Sequence, residues 1–106
     1  MKQNSLLLNK EFKALSEENR LKILLFIQEH QLKCAYDKND QKRCDIQCCV
    51  NDIAEHFDLA LSTVSYHIKE LVNAELVIIN KKGRWSYCEI NKEKVKVFIN
   101  FFNTLL

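Results

Sequence analysis

Apolar positions recur along this chain in two different periods. Leu8, Phe12 and Leu15 fall on one face of a helix. Ser16 follows as an N-cap for a second helix, whose first turn carries Glu17 and Glu18 where acidic side chains suit the helix dipole. This second helix, Glu17 to Gln31, has Leu21, Ile23, Leu24, Leu25, Phe26 and Ile27 on nearly every side, so it is predicted to lie at the centre of the core. From Lys33 to Gln47 the apolar period disappears and charges alternate. That stretch predicts a solvated loop, longer than the roughly 2 to 8 residues usual between helices.

The helical period returns with Val50, Ile53, Ala54 and Phe57. Asp58 to Leu61 then forms a short connection, and Ser62 is predicted to cap a further helix with the stripe Val64, Ile68, Leu71 and Val72. Two short helices joined by a tight turn make a helix-turn-helix. The period then changes to that of a strand. Val77-Ile78-Ile79 leads through Asn80, Lys81, Lys82 and Gly83 to Arg84-Trp85-Ser86-Tyr87-Cys88-Glu89-Ile90, a hairpin with the chain's single glycine at its tip. Eight of the last twelve residues, Val95 to Leu106, are apolar, too many for a helix with one face in water, so a partner subunit is expected to cover them. The fold class is mainly α with a two-stranded β-wing, a winged helix-turn-helix. Its 106 residues suit one domain, residues 1–106, in which residues 33–49 form a cysteine-bearing loop.

Composition narrows the surroundings. The longest apolar run, Leu21 to Ile27, is broken by Lys22 and falls far short of the roughly 20 residues a membrane span needs. Three leucines after Met1-Lys2-Gln3-Asn4-Ser5 do not make a secretory leader, so a cytoplasmic protein is expected. The net charge of +2 is modest but unevenly placed: residues 69–96 carry +3 and residues 1–68 carry −1. The basic end coincides with the second helix of the helix-turn-helix and the hairpin.

A helix-turn-helix places the N-terminal residues of its second helix in the major groove of DNA. With roughly 100° per residue, Ser62, Tyr66, Lys69, Glu70 and Asn73 lie opposite the apolar stripe, with Thr63 and Ser65 on its flanks. Hydroxyls and a phenol in the leading turns can bond phosphates and base edges, whereas Glu70 and Asn73 sit too far along to read. Ser62, Thr63, Ser65, Tyr66 and Lys69 are therefore the candidate DNA contacts. Lys81, Lys82 and Arg84 join them from the hairpin, where phosphates or the adjacent minor groove come within reach. His67 falls on the border of the stripe and is predicted to pack against the core.

Three segments in this order resemble the ArsR family of bacterial metal- and thiol-responsive repressors: Phe12 to Leu24, Ser62 to Leu71, and Gly83-Arg84-Trp85. The resemblance implies a homodimer, joined through its first and last helices, that binds double-stranded operator DNA and leaves it when an inducer binds. It carries the family's DNA contacts to Ser62, Ser65 and Tyr66, the last often a histidine in relatives. Cys88, where relatives often have tyrosine, shares a strand face with Ile90 and is expected to pack in the core.

Four of the five cysteines, Cys34, Cys44, Cys48 and Cys49, fall within sixteen residues, and an odd count in a reducing compartment argues against a disulfide framework. Family members sense soft metals with Cys-Val-Cys-Asp-Leu. Here the matching stretch is Cys49-Val50-Asn51-Asp52-Ile53, so one standard ligand is replaced by Asn51. Cys34, Cys44, Cys48 and Cys49 are the candidate ligands of a modified thiolate site for arsenite, cadmium, zinc or a similar soft ion. Reversible oxidation or persulfide formation on the same thiols, with no metal, is the alternative, and buried or incidental cysteines are a third reading. His30 is one turn from Cys34 and reads as a surface histidine at a helix end. The last helix has no histidine and no acidic residue after Glu93, so the interfacial nitrogen/oxygen site of zinc-sensing relatives is expected to be missing. A glycine-rich phosphate loop, a Cys-x-x-Cys pair and a nucleophile with a base are lacking, so an enzyme is not expected. A winged-helix module that binds only protein is the alternative of a different class.

Overall fold

The computed structural model describes residues 8–36, 50–82 and 85–106. In chain order the elements are α1 (Asn9–Leu15), α2 (Glu18–Tyr36), α3 (Val50–Phe57), α4 (Leu61–Asn73), β1 (Val77–Lys82), β2 (Trp85–Ile90) and α5 (Lys92–Asn103). The two strands form one antiparallel hairpin, in register from Val77 opposite Ile90 to Lys82 opposite Trp85. The core gathers one face from each of five elements: Ile23 and Ile27 of α2, Ile53 of α3, Val64, Ile68 and Leu71 of α4, Val77 of β1 and Cys88 of β2 are all essentially inaccessible to solvent. The stripe predicted for α4 is the one that is buried, and Cys88 lies in the core opposite Ile79 as its strand alternation implies.

Both helices of the helix-turn-helix end in the same way. After α3, Asp58 takes a positive φ of 54°, its N–H donates to Glu55 O and the Leu59 N–H donates to Ala54 O. After α4, Glu75 takes a φ of 63°, its N–H donates to Val72 O and the Leu76 N–H donates to Leu71 O. Each is a Schellman cap, in which a left-handed residue satisfies carbonyls the helix would otherwise leave open. Glycine suits that conformation best, and neither site has it. Asp58 is exposed, so Asp58→Gly is expected to raise stability by about 0.5 to 1 kcal/mol, read as a higher urea midpoint at unchanged slope.

Several helix boundaries differ from the sequence expectations. Ser16 does not cap α2: it ends α1, where its Oγ donates to Lys13 O at 2.7 Å, and Glu17 Oε1 accepts from the Arg20 N–H at 3.2 Å instead. Ser62 is likewise not a cap. The extended residue before α4 is Ala60, with ψ 143° and no side-chain cap bond, so Ser62 sits inside the first turn. The second helix runs past Gln31 to Tyr36, because Leu32, Lys33 and Ala35 are good helix formers and no glycine or proline interrupts them. Lys33 to Tyr36 are therefore helix, not loop, and the rest of the predicted loop, residues 37–49, lies outside the described residues. Nor is this helix buried all round: Leu21 and Leu25 are exposed, Leu25 by 68%. Asn80, Lys81 and Lys82 belong to β1, leaving residues 83 and 84 between the strands.

The last helix is tied to the rest of the chain at both ends. Asn91 caps it, its Oδ1 accepting from the Lys94 N–H, while its Nδ2 donates to Glu75 O and its N–H donates to Leu76 O, each at 2.9 Å. Farther along, Phe98, Phe101 and Phe102 surround the Phe12 ring of α1 with centroids 5.2 to 6.0 Å away. Lys94 reaches from α5 to Glu11 of α1, Nζ to Oε2 3.0 Å, and to Glu75 beyond α4, Nζ to Oε1 3.3 Å. No residue of α5 is fully buried, and Val95, Ile99, Phe102, Leu105 and Leu106 present apolar surface.

Candidate nucleic-acid interface and the cysteine-bearing segment

Burial of Val64, Ile68 and Leu71 turns the opposite face of α4 outward. Ser62, Ser65, Tyr66 and Lys69 are exposed there, and Thr63 is half-buried beside them. Ile53 and Ala54 of α3 share the core with Val64, Ile68 and Leu71 of α4, so the outward face rests on a packed support. Lys81 of β1 is also exposed. Ser65 and Lys69 of α4, Lys81 and Ser86 of the hairpin, and Val50 of α3 line one shallow surface cleft of about 230 Å³. Lys69 of the helix and Lys81 of the wing thus share one concave surface, floored by Ile68, Val72 and Ile79. Lys82 ends β1, and Arg84 lies outside the described residues.

His67 is buried, as its angular position implies. Its Nδ1 accepts from Arg20 Nε at 3.2 Å, which puts the proton of the neutral ring on Nε2, 3.8 Å from Glu17 Oε1. Arg20 also donates from Nη1 to Ala14 O at 3.4 Å, and its Cζ lies 5.5 Å from the centre of the Tyr66 ring. Arg20 and His67 are 47 residues apart, and no periodicity along the chain links the two.

The C-terminal half of α2 meets α3 through an aromatic cluster. Phe26 stacks on His30 with centroids 3.8 Å apart and also packs on His56 and Phe57. His30 Nδ1 is 2.9 Å from Phe26 O. His30 is therefore half-buried in mid-helix rather than a surface residue at a helix end. In the first turn of α3, Asp52 Oδ2 is buried with no hydrogen-bond partner among the described residues. Burial, with Glu55 adding to it, pushes this carboxyl up against the pull of His30. A carboxylate oxygen of this kind is satisfied by a proton or a cation, and it stands three residues after Cys49. Cys34 is on the last turn of α2, whereas Cys44, Cys48 and Cys49 lie outside the described residues. Among the described residues no group of three or more histidine, cysteine or acidic side chains could hold a metal ion.

The model of the family described as "Bacterial regulatory protein, arsR family" matches residues 43–78, from the cysteine-bearing segment through α3 and α4 into β1. The arsenical resistance operon repressor of Bacillus subtilis is 35% identical over 85 residues, covering 80% of this chain and 67% of that protein. The chain belongs to the ArsR family. The transcriptional repressor SdpR of the same organism is 27% identical over 100 residues, covering 91% of this chain and 93% of that one. The fold of this chain matches the homodimeric winged helix-turn-helix DNA-binding domain of a possible ArsR-family regulator from Mycobacterium bovis, with a TM-score of 0.60, 24% identity, and 91% and 74% of the two chains covered.

As an ArsR-family member the chain is a transcription regulator rather than an enzyme, and the winged helix-turn-helix is its DNA-binding element. No helix among the described residues is long and apolar enough to cross a membrane. Family membership gives α4 its role, and the geometry adds two side chains that patterning did not single out. Asp52 belongs to the stretch matched to the family's soft-metal motif, and its buried oxygen, unpartnered among the described residues, sets it apart within that stretch.

Proposed function

We propose that this chain is a homodimeric transcriptional repressor that reads operator DNA and releases it when a soft metal or metalloid ion binds cysteine thiolates. Ser62, Thr63, Ser65, Tyr66 and Lys69 meet the major groove, and Lys81, Lys82 and Arg84 meet phosphates or the neighbouring minor groove. Residues 1–106 act as one DNA-binding and dimerising unit, and a DNA partner puts it in the cytoplasm. The observation that carries this reading is the cleft lined by Ser65 and Lys69 of α4, Lys81 of the wing and Val50 of α3.

Val50 also supplies the link to sensing, because it directly follows Cys48 and Cys49. Cys34, Cys44, Cys48 and Cys49 would hold the ion, with the buried Asp52 carboxyl three residues after Cys49. Arsenite, cadmium and zinc all accept thiolate ligands, and the named function of the Bacillus subtilis relative in arsenical resistance favours this class. A bound soft cation supplies a fixed crosslink among thiolates. What the chain's own residues then do is mechanical: a pull on Cys49 acts on the first turn of α3, and α3 supports α4 through Ile53 and Ala54 in the shared core. A shift there reorients two reading helices across a dimer, the difference in contact that coupling between sites requires.

The test titrates the reduced protein with arsenite, cadmium and zinc while fluorescence anisotropy follows its complex with duplexes selected from a randomised pool. At least one ion is expected to weaken binding by about tenfold or more, a usual size for allosteric coupling. Cys48→Ser with Cys49→Ser should keep DNA binding and lose that response. Lys69→Ala and Lys81→Ala should each lower the salt slope by about 0.9. Release by peroxide or polysulfide but by no ion would replace metal sensing with redox sensing on the same thiols. Unchanged salt dependence in both lysine variants would sink the DNA contacts and favour a protein-binding module.

A further inference from the structure

Arg20 enters α2 in its first turn, yet its side chain is spent on α4. Its N–H is held by Glu17, and its guanidinium has two fixed donors, Nε to His67 Nδ1 at 3.2 Å and Nη1 to Ala14 O at 3.4 Å. A guanidinium is planar with its donors in set directions, so two such bonds fix its plane as well as its position. The Tyr66 ring lies against it, 5.5 Å from Cζ, and a cation at that range attracts an aromatic ring. Tyr66 is 53% exposed, and its other ring contact is His67 at 5.6 Å. Arg20 thus holds His67, one neighbour of the phenol ring, by a hydrogen bond, and meets the ring itself with its charge. Lys10 and Lys13 line the same surface cleft as Arg20 and Tyr66, together with the carboxylates of Glu17 and Glu70, so Arg20 is one of three cations there.

We propose that Arg20 is a positioning residue for sequence specificity: anchored on His67 and Ala14, it holds the Tyr66 ring at one tilt and so decides which base edge the phenol meets. The proposal rests on the DNA-reading face described above. Lysine at position 20 keeps the charge but has neither the planar face nor the paired donors. Arg20→Lys should therefore blur base preference without removing a phosphate contact.

The experiment compares the wild type with Arg20→Lys, Tyr66→Ala and the double variant. Each is bound to a duplex selected by the wild type from a randomised pool and to a scrambled duplex of the same composition, across a salt series. Arg20→Lys is expected to reduce the ratio of selected to scrambled affinity by about tenfold, the size of one lost base contact, with the salt slope unchanged. In the Tyr66→Ala background the same substitution should change the ratio by less than about twofold, because coupled residues are not additive. In protein labelled at its three tyrosines, Arg20→Lys should move the ring resonances of Tyr66 more than those of Tyr36 and Tyr87, a readout that general loosening of the fold would not give. An equal loss on both duplexes with a shallower salt slope would overturn the proposal by making Arg20 a phosphate contact. An undiminished effect in the Tyr66→Ala background would overturn it by showing that Arg20 acts elsewhere. If the wild type selects no duplex and shows no salt-dependent binding, the DNA reading itself fails and the proposal falls with it.

Discussion

Replacing Lys94 by methionine is expected to cost the fold about 3 kcal/mol, read as a lower urea midpoint at pH 7. Glu11 is only 7% exposed, and Lys94 Nζ at 3.0 Å is the cation that allows its carboxylate to stay charged there. Burial alone would raise the Glu11 carboxyl, but the Lys94 hydrogen bond and charge, with a backbone hydrogen bond and Lys10 adding to them, hold the group below its ordinary 4.5. Lys94 is in turn held above 10.5, by its bond to Glu11 first, against burial, with Glu75 adding to the effect. Methionine fills the same space and leaves a buried carboxylate without its paired cation, which is the costly half of breaking such a pair. The exposed Glu75 contributes little by comparison.

The pH dependence follows from the two shifts. A lowered carboxyl stabilises the fold fully above its unfolded pKa near 4.5, and that contribution fades as pH falls through the still lower folded value. A raised amine contributes fully below about 10.5 and fades as pH climbs through its higher folded value. The gap between wild type and Lys94→Met should therefore be widest between these limits and close in acid below pH 4.5, where Glu11 takes up a proton. Glu11→Leu combined with Lys94→Met should recover most of the loss, since an apolar pair of similar volume avoids the buried charge. A single variant as stable as the wild type at pH 7 would show that the pair holds nothing together.

Neither Glu11 nor Lys94 stood out in the sequence, and the reason is general to this chain. Helices announced themselves where a stripe repeats: Val64, Ile68 and Leu71 fixed both the buried face of α4 and, by opposition, the exposed Ser62, Ser65, Tyr66 and Lys69. The border position of His67 was legible by the same angle. Helix ends were not, because a serine caps only when the backbone at that residue is extended, and here Ala60 holds the extended position before α4. Contacts across the chain left no trace at all. Glu11 and Lys94 are 83 residues apart, and Arg20 and His67 are 47 apart, so each pair exists only once the helices are packed. Exposed Leu25 shows the opposite limit: residues apolar enough for a core were placed in it, although part of that apolar surface faces outward on the single chain.

That outward apolar surface sets the second large effect. Ile99→Glu is expected to leave the chain folded but monomeric, and to weaken operator binding by about 100-fold or more. Val95, Ile99 and Phe102 follow each other at helical spacing on α5 and are all exposed, Ile99 by 53%. Phe102 also packs on Phe12 within the chain, so Ile99 is the cleaner probe. Glutamate is a better helix former than isoleucine at an exposed site, so the monomer's own stability should hold. A dimer interface that buried this residue would instead have to desolvate a charge on each subunit, at several kcal/mol apiece. Two half-sites bound by separate monomers lose the high effective concentration that links them in a dimer, which is where the fall in affinity comes from. Sedimentation and far-ultraviolet circular dichroism separate the possible results. A folded variant that sediments as a dimer with unchanged operator affinity would show that α5 does not form the interface. A folded monomer that still binds the operator as tightly as the wild type would show that the DNA is read one subunit at a time.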